Sequence, residues 1–286
     1  MIKNILLLVL IPGQIFMNQL FGQDNKEQQT NVSAQTLYDQ AYGKDAAQKM
    51  DIYLPSRIND STTMMVIVHG GAWVRGDKSE FNPYVAALRQ LMPNYAFANI
   101  NYRLFRSGRN QFPAQEEDMK TAVTYLQKRL SEFGVKRRMV LLGASAGGYL
   151  ALLQAYKYPG ASKPAAVISL FGPTDLTEMY NTAPYPDVRP MLTSLLGASP
   201  TDDPKLYKQS SPLEFVDASA PPTLLLQGGQ DRLVPENQAH LLHEKLDRLK
   251  IVNELKVYPQ EGHGWSGPAL FDSFARVAAF LKKNVK

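Results

Sequence analysis

The sequence predicts an α/β fold in which helices cover both faces of a mostly parallel, doubly wound sheet. The first indication is a series of uniformly apolar runs, which are typical of strands buried on both faces of a parallel sheet. The second is that segments with apolar side chains every three or four residues lie between these runs. The third is the length of 286 residues with 44% hydrophobic residues, which suffices for one large domain with a substantial core.

The N-terminus predicts an export signal followed by a polar arm. Residues 5–11 are apolar, but the run is shorter than the ~20 residues that span a bilayer. Its length matches the hydrophobic region of a secretory signal peptide, with a buried first strand or helix as the alternative. We expect residues 1–22 to be removed on export to the periplasm or the medium, which leaves no stable membrane anchor. Residues 23–45, which start with a stretch rich in Gln and Asn, are predicted to form a loosely docked arm or linker.

The remaining residues, 46–286, contain the predicted sheet. Residues 48–54 alternate apolar and polar side chains and predict an antiparallel, half-exposed strand. Further strands are predicted from the apolar runs at 64–68, 95–100, 139–142, 165–171 and 223–226, and from residues 255–258. Helices are predicted at 85–91, 116–130, 149–158, 236–249 and 270–284. The connections between parallel strands are expected to be right-handed crossovers.

One segment interrupts the alternation of strands and helices. Residues 177–213 hold six prolines and several aromatic residues, with little periodicity. Because this segment separates two predicted core strands, we expect it to lie above one edge of the sheet. It is therefore interpreted as a small cap inserted into the domain.

The composition excludes several classes of function. The chain has no cysteine, which rules out disulfides, thiolate metal sites and a cysteine nucleophile. The formal charge of +5 comes from 31 basic and 26 acidic residues, and the only sharp basic cluster is the short run 136–138. We therefore expect no nucleic-acid partner.

A serine between glycines marks the candidate nucleophile. Ser145 stands in GASAGG (143–148), between a predicted strand and a predicted helix. Because glycine has no side chain, glycines at such a corner allow a tight turn in which larger residues would collide with the backbone. The new helix also directs free N–H groups towards any negative charge that forms nearby. A glycine-rich helix start with an incidental serine is the alternative.

A serine hydroxyl needs a base, and His263 is the candidate. It lies between two glycines in a loop after a predicted strand, whereas His240 and His243 lie on an amphipathic helix. The acid that orients the histidine is assigned to Asp231, which also ends a strand, with Asp175 as the second choice. An N-cap of the following helix is the alternative role for Asp231. In open α/β sheets, ligands gather at the carboxyl ends of strands, where these residues are predicted to meet.

The segment HGGAW (69–73) follows the first buried strand and predicts an oxyanion hole. Its two glycines permit a loop whose N–H groups point inwards. The assigned donors are the N–H groups of Gly71, Ala72 and Ala146, with a plain turn at the strand end as the alternative. His69 is expected to brace the loop rather than to take part in chemistry.

The two tryptophans are the candidates for substrate binding. Trp73 ends the HGGAW segment, and Trp265 lies two residues after His263. We expect both to flank the crevice as an aromatic wall for an acyl or sugar group. A place in the hydrophobic core is the equal alternative for each.

Together these motifs resemble the serine hydrolases of the α/β-hydrolase superfamily. The similarity is closest to esterases and lipases with a His-Gly-Gly motif and to bacterial esterases of the feruloyl and acetylxylan type. Ala144 stands where lipases like hormone-sensitive lipase usually carry an acidic residue, and Ala72 stands where many relatives carry a third glycine. Both departures move the match towards the feruloyl-esterase group. The matching segments are HGGAW (69–73), NYRL (101–104), FPAQEEDMKTAVTYL (112–126), GASAGG (143–148), GPTD (172–175), GGQDRLVP (228–235) and EGHGW (261–265).

The resemblance implies a carboxylic ester hydrolase that works through an acyl-enzyme and needs no metal or organic cofactor. Ser145 would attack the carbonyl, His263 would carry the proton, and Asp231 would orient His263. The expected substrates are short-chain or carbohydrate-linked acyl esters of acetyl or feruloyl type, free or attached to a polysaccharide. The same residues suit an amide hydrolase, such as an exopeptidase or an arylformamidase. A non-catalytic binding protein built on a hydrolase fold is the third interpretation.

Overall fold

Eight strands form one sheet in the computed structural model, which describes residues 34–59, 62–135, 138–158, 160 and 163–285. Their order across the sheet is β1-β2-β4-β3-β5-β6-β7-β8. The pairs β1–β2 and β2–β4 are antiparallel, and every other neighbouring pair is parallel. The strands are β1 (Thr36–Ala41), β2 (Lys49–Tyr53), β3 (Thr63–Val68), β4 (Tyr95–Ile100), β5 (Met139–Ala144), β6 (Ala166–Leu170), β7 (Thr223–Gly228) and β8 (Asn253–Tyr258).

Helices cover both faces of the sheet, and a buried apolar cluster fills the space on each side. Neighbouring residues of one strand, such as Val66 and Ile67, belong to opposite clusters, which explains why the strands are apolar throughout. Among the described helices, none combines the length and the apolar character that crossing a bilayer requires. The helices are α1 (Asn82–Leu91), α2 (Ala114–Arg129), α3 (Ala146–Lys157), α4 (Leu176–Thr182), α5 (Val188–Leu196), α6 (Pro204–Gln209), α7 (Asn237–Arg248) and α8 (Gly267–Asn284).

The end of the predicted N-terminal arm is a strand. The signal peptide predicted at 1–22 lies outside the described residues, as does the first part of the arm, 23–33. Residues 36–41, however, pair with β2 and form the edge strand β1. The prediction of an arm was wrong here because Tyr38 and Asp39 are exposed, so the strand carries little of the apolar pattern that reveals a buried one. Hydrogen bonds to β2 hold it in place.

Strand β2 is buried, although its alternating sequence predicted a half-exposed strand. The antiparallel direction is confirmed, and Met50 and Ile52 lie in the core. Asp51 is buried too, because its carboxylate accepts a 2.8 Å hydrogen bond from Lys78 Nζ and another from the Asp39 N–H. The polar position in this alternating pattern therefore marks a buried ion pair, not a solvent-facing side chain.

The segment predicted as a cap, 177–213, lies between β6 and β7 and contains most of α4 and all of α5 and α6. Among its hydrogen bonds to the rest of the domain, one comes from a residue just before α2 and another from a residue on α3. The Phe112 N–H, just before α2, donates to Leu195 O at 3.1 Å, and the Tyr149 hydroxyl on α3 donates to Ser210 O at 2.7 Å. These contacts tie the segment to α2 and α3.

Candidate active site

Ser145 occupies a sharp turn between β5 and α3. Its φ and ψ angles are 54° and −122°, which an L-residue rarely adopts. The Ser145 N–H donates a 2.8 Å hydrogen bond to Leu170 O at the end of β6, and this bond holds the strained turn. The hydroxyl is therefore fixed at the edge where the parallel strands end.

The glycines around Ser145 are required by the close approach of backbone segments. A Cβ on Gly143 would lie 2.2 Å from Gly147 O. A Cβ on Gly147 would lie 2.1 Å from Val68 O at the end of β3. This contact between α3 and β3 brings the serine turn beside the loop that follows β3.

We expect Gly147→Ala to damage both the fold and the site. Its methyl group would overlap Val68 O at 2.1 Å and His69 O at 2.5 Å, and neither backbone group can rotate away. The start of α3 or the loop after β3 must then move. We expect the free energy of unfolding to fall by about 1–3 kcal/mol. The rate at which a fluorophosphonate labels Ser145 should fall by about 100-fold.

Gly160→Ala is the matched control for this change, because a Cβ at Gly160 meets no atom of the described residues within 4 Å. Urea unfolding and fluorophosphonate labelling should both match the wild type in this control. Wild-type stability and labelling in Gly147→Ala would show that α3 and β3 are not in the close contact described.

Ser145, His263 and Asp231 form a continuous chain of hydrogen bonds. His263 Nε2 lies 2.8 Å from Ser145 Oγ, and His263 Nδ1 lies 2.7 Å from Asp231 Oδ2. The Asp231 side chain is fully buried, whereas 20% of the His263 side chain is exposed. Because an ionised carboxylate only accepts hydrogen bonds, Nδ1 carries a proton and Nε2 is free to take the proton of the serine.

The two oxygens of Asp231 have different partners. Oδ1 accepts hydrogen bonds from the N–H groups of Leu233 and Val234, both at 2.9 Å. Oδ2 accepts from His263 and, at 3.3 Å, from Gln227 Nε2 on β7. One oxygen therefore holds a turn that ends before α7 begins, and the other faces the histidine.

Asp175, the second choice for the acid, has a different position. Its Oδ1 accepts hydrogen bonds from the N–H groups of Thr177 and Glu178 at 2.9 and 3.0 Å. It thus caps the N-terminus of α4. No hydrogen bond joins it to His263 in the part of the chain that the structure describes.

The loop after β3 passes beside Ser145 in a left-handed conformation. Gly71 and Ala72 have φ angles of 104° and 53°. A Cβ on Gly70 would lie 3.2 Å from Ser145 Cβ. Within the described residues, the N–H groups of Gly71 and Ala72 donate no hydrogen bond, and the Ala146 N–H belongs to the first turn of α3, where helices leave N–H groups unpaired. All three predicted donors are therefore free to bind an oxyanion formed at Ser145.

His69 lies buried beneath this loop and braces it. Its Nδ1 donates a 2.7 Å hydrogen bond to Gly70 O, and its ring stacks on Tyr102 at 4.4 Å between centroids. The Tyr102 hydroxyl in turn donates to His69 O at 3.1 Å. Burial lowers the pKa of His69 from 6.5 to about 4, so the ring is neutral at pH 7.

We expect acid to destabilise the protein through His69. In the unfolded chain the ring takes up a proton near its ordinary pKa of 6.5, whereas in the folded protein it does so only at about pH 4. Between these values the unfolded state binds more protons, so the free energy of unfolding falls as the pH falls. The His69 contribution over this window is up to about 3 kcal/mol.

Urea unfolding at several pH values measures this effect. His69→Asn keeps an N–H donor for Gly70 O but cannot titrate, so the stability of this variant should depend less on pH between 6.5 and 4. His240→Asn is the control, because the side chain of His240 is 46% exposed. An equal pH dependence in wild type and His69→Asn would contradict the prediction.

Both tryptophans lie in the core, so the prediction that they form the wall of the crevice is wrong. Trp73 is 1% exposed and packs edge-on against Tyr149. Trp265 is 8% exposed, and its indole N–H donates a 2.8 Å hydrogen bond to Ser273 Oγ. The prediction relied on their closeness to the motifs along the chain, but both side chains pack against the helices that flank the site.

Phe171 is a residue of the site that the sequence analysis missed. Its ring centroid lies 4.9 Å from that of His263 and 5.1 Å from that of Trp265. The prediction treated it only as the last apolar residue of the run 165–171. Its position at a strand end, before Gly172-Pro173, was the available signal, because the other site residues also follow strands.

Comparison with known proteins finds one family and several esterases. The BD-FAE family model matches residues 50–246. The chain is similar to "Esterase LipC" of Mycobacterium tuberculosis, with 27% identity over 244 residues, which cover 78% of this chain and 58% of that protein. It is also similar to "Probable carboxylic ester hydrolase LipM" of the same organism, with 30% identity over 213 residues, which cover 69% and 48%. The chain thus spans about half the length of these two curated relatives.

The fold matches that of a solved carbohydrate esterase. The structure described as "Truncated form of carbohydrate esterase from gut microbiota" gives a TM-score of 0.76 at 23% identity, over 91% of this chain and 100% of that one. At this identity the likeness establishes the fold. The predicted fold class, a mostly parallel α/β-hydrolase sheet with helices on both faces, is confirmed.

Proposed function

The chain belongs to the BD-FAE family, and from this premise we propose that it is a carboxylic ester hydrolase that works through an acyl-enzyme. The observation that carries the proposal is the chain of hydrogen bonds from Asp231 Oδ2 through His263 to Ser145 Oγ. A serine in this arrangement is a nucleophile with a base in place to receive its proton. The names of the esterases among the curated relatives support the same reaction.

In the first half of the reaction, Ser145 Oγ attacks the ester carbonyl. His263 Nε2 takes the hydroxyl proton, and the Asp231 carboxylate, 2.7 Å from Nδ1, stabilises the imidazolium that forms. The negative charge on the carbonyl oxygen is stabilised by the free N–H groups of the loop after β3 and of the first turn of α3. His263 then gives the proton to the leaving alcohol, and the acyl group stays on the serine oxygen.

In the second half, water takes the place of the alcohol. His263 Nε2 removes a proton from the water, and the resulting hydroxide attacks the acyl carbonyl. When the tetrahedral intermediate collapses, the proton returns to Ser145 Oγ and the carboxylic acid leaves. The exposed fraction of the His263 side chain, 20%, lets water reach the base.

The substrates that we propose are short-chain or carbohydrate-linked acyl esters, of acetyl or feruloyl type. The support is the solved carbohydrate esterase of similar fold, together with the two departures at Ala72 and Ala144 from the lipase-like pattern. When the leaving group is a sugar alcohol, the only catalytic help that it needs is the proton that His263 donates to it.

A panel of substrates tests the function. p-Nitrophenyl acetate, p-nitrophenyl butyrate, methyl ferulate and acetylated xylan represent the esters, and an N-formylanilide and a dipeptide represent the amides. We expect turnover of the esters, with the highest kcat/KM for an acetyl or feruloyl ester, and slow or absent turnover of the amides. Preference for an amide would favour the amide-hydrolase alternative. If the protein turns over none of these substrates and does not react with a fluorophosphonate, the result would favour a binding protein.

A further inference from the structure

The two hydrogen bonds of His263 do not fix the rotation of its ring about the line that joins Nδ1 and Nε2. The ring is held at its two nitrogens, by Asp231 Oδ2 at 2.7 Å from Nδ1 and by Ser145 Oγ at 2.8 Å from Nε2. Tilting the ring about the line through Nδ1 and Nε2 leaves both nitrogens in place but changes the direction in which each points its proton or lone pair. The flanking Gly262 and Gly264 do not restrict the ring, since neither has a side chain and Gly264 has a φ angle of 96°. Besides the bond to Cβ, a contact on the face or edge of the imidazole is what can hold its tilt.

Phe171 supplies this contact. Its ring and the His263 ring lie 4.9 Å apart with an angle of 65° between their planes, which is the attractive edge-to-face arrangement of aromatic pairs. Phe171 is itself held by a second edge-to-face contact, with Trp265 at 5.1 Å and 75°. The hydrogen bond from the Trp265 indole to Ser273 Oγ anchors that contact to α8.

The backbone of Phe171 supports the same conclusion. Its φ angle of 43° lies in the left-handed region, where glycine is the favoured residue. Its N–H donates a 2.7 Å hydrogen bond to Leu226 O on β7, which fixes the strained residue between two strands. A large side chain at a position that would suit glycine indicates that the ring is needed there.

We propose that Phe171 is a positioning residue that holds the His263 imidazole at the tilt at which it serves both Asp231 and Ser145. The proposal rests on the hydrolase function proposed for this site. Phe171 exchanges no proton and forms no bond with the substrate. Because His263 moves a proton in acylation and in deacylation, the loss of the ring lowers kcat and leaves KM unchanged.

Three variants test the proposal. Phe171→Leu keeps much of the apolar volume but removes the ring, and Phe171→Tyr keeps the ring. Phe274→Leu is the matched control, because Phe274 lies in the apolar cluster against which Phe171 packs and makes an edge-to-face contact with Tyr84 at 5.9 Å instead of with the histidine. We expect Phe171→Leu to lower kcat for p-nitrophenyl acetate about tenfold at unchanged KM. Phe171→Tyr and Phe274→Leu should keep the wild-type kcat.

Proton NMR gives a second measurement that needs no substrate. The Nδ1 proton between His263 and Asp231 gives a low-field signal that persists only while the ring is held and water is kept away. We expect this signal in wild type, Phe171→Tyr and Phe274→Leu, and its broadening or loss in Phe171→Leu. Thermal melting of each variant establishes that the protein measured is folded.

Several results would overturn the proposal. They are an unchanged kcat in Phe171→Leu, a rise in KM alone, equal losses in folded Leu and Tyr variants, or an unchanged NMR signal in Phe171→Leu. If the wild-type protein hydrolyses no ester, the proposed function fails instead. The NMR comparison then still decides whether Phe171 fixes the imidazole.

Discussion

Ser145→Ala is expected to abolish the hydrolysis of acyl esters while the protein still folds. The change removes the oxygen on which the proposed acyl-enzyme forms, and kcat should fall by roughly 10⁴–10⁶-fold. What remains would come from binding and from the N–H groups that stabilise the oxyanion. Steady-state turnover of p-nitrophenyl acetate measures the loss. A pre-steady-state measurement with excess substrate should show no burst of p-nitrophenol.

The fold should survive this change because the turn is held by its backbone. The hydrogen bond from residue 145 N–H to Leu170 O does not involve the hydroxyl, and alanine meets the same strain at φ 54° as serine does. Ser131→Ala, at an exposed serine, is the matched control and should keep full activity. If Ser145→Ala still hydrolyses esters or still reacts with a fluorophosphonate, the nucleophile lies elsewhere.

The parallel core could be predicted from sequence because its strands are buried on both faces. A strand such as β3, with every residue buried, leaves an apolar run that needs no knowledge of its partners. Strand β1 left no such run, since its residues are partly or fully exposed and its place depends on hydrogen bonds to β2. The burial of Asp51 was equally hidden, because it depends on Lys78, which is distant in sequence.

The residues of the candidate site that depend on local backbone geometry could be predicted from the sequence. Ser145 and the loop at Gly71 are marked by glycines, and these glycines are required because a side chain there would collide with the backbone. The choice of Asp231 over Asp175 is different, because both follow strands and only the structure shows which carboxylate meets His263. The role proposed for Phe171 has no sequence signal of this kind, since it depends on the tilt between two rings brought together by separate strands.

Asp231→Asn is expected to lower kcat about 10⁴-fold with little change in the shape of the site. The asparagine can place its oxygen either towards the histidine or towards the turn. The turn offers two N–H donors at 2.9 Å, from Leu233 and Val234, whereas the Oδ2 side offers one longer donor, Gln227 Nε2 at 3.3 Å, so the amide oxygen should stay at the Oδ1 position. The amide NH₂ then faces His263 Nδ1, which must accept instead of donate.

This exchange of donor and acceptor moves the single proton of the neutral imidazole to Nε2. Nε2 then points a proton at Ser145 Oγ and cannot take one from it, so acylation loses its base although every distance is preserved. Asp187→Asn is the control, because the Asp187 side chain is exposed and makes no capping hydrogen bond. Turnover of p-nitrophenyl acetate and the low-field Nδ1 proton signal should both be lost in Asp231→Asn and kept in the control. If Asp231→Asn kept its turnover, the buried carboxylate would serve the turn at 231–234 alone, and the tautomer of His263 would have to be set by some other group.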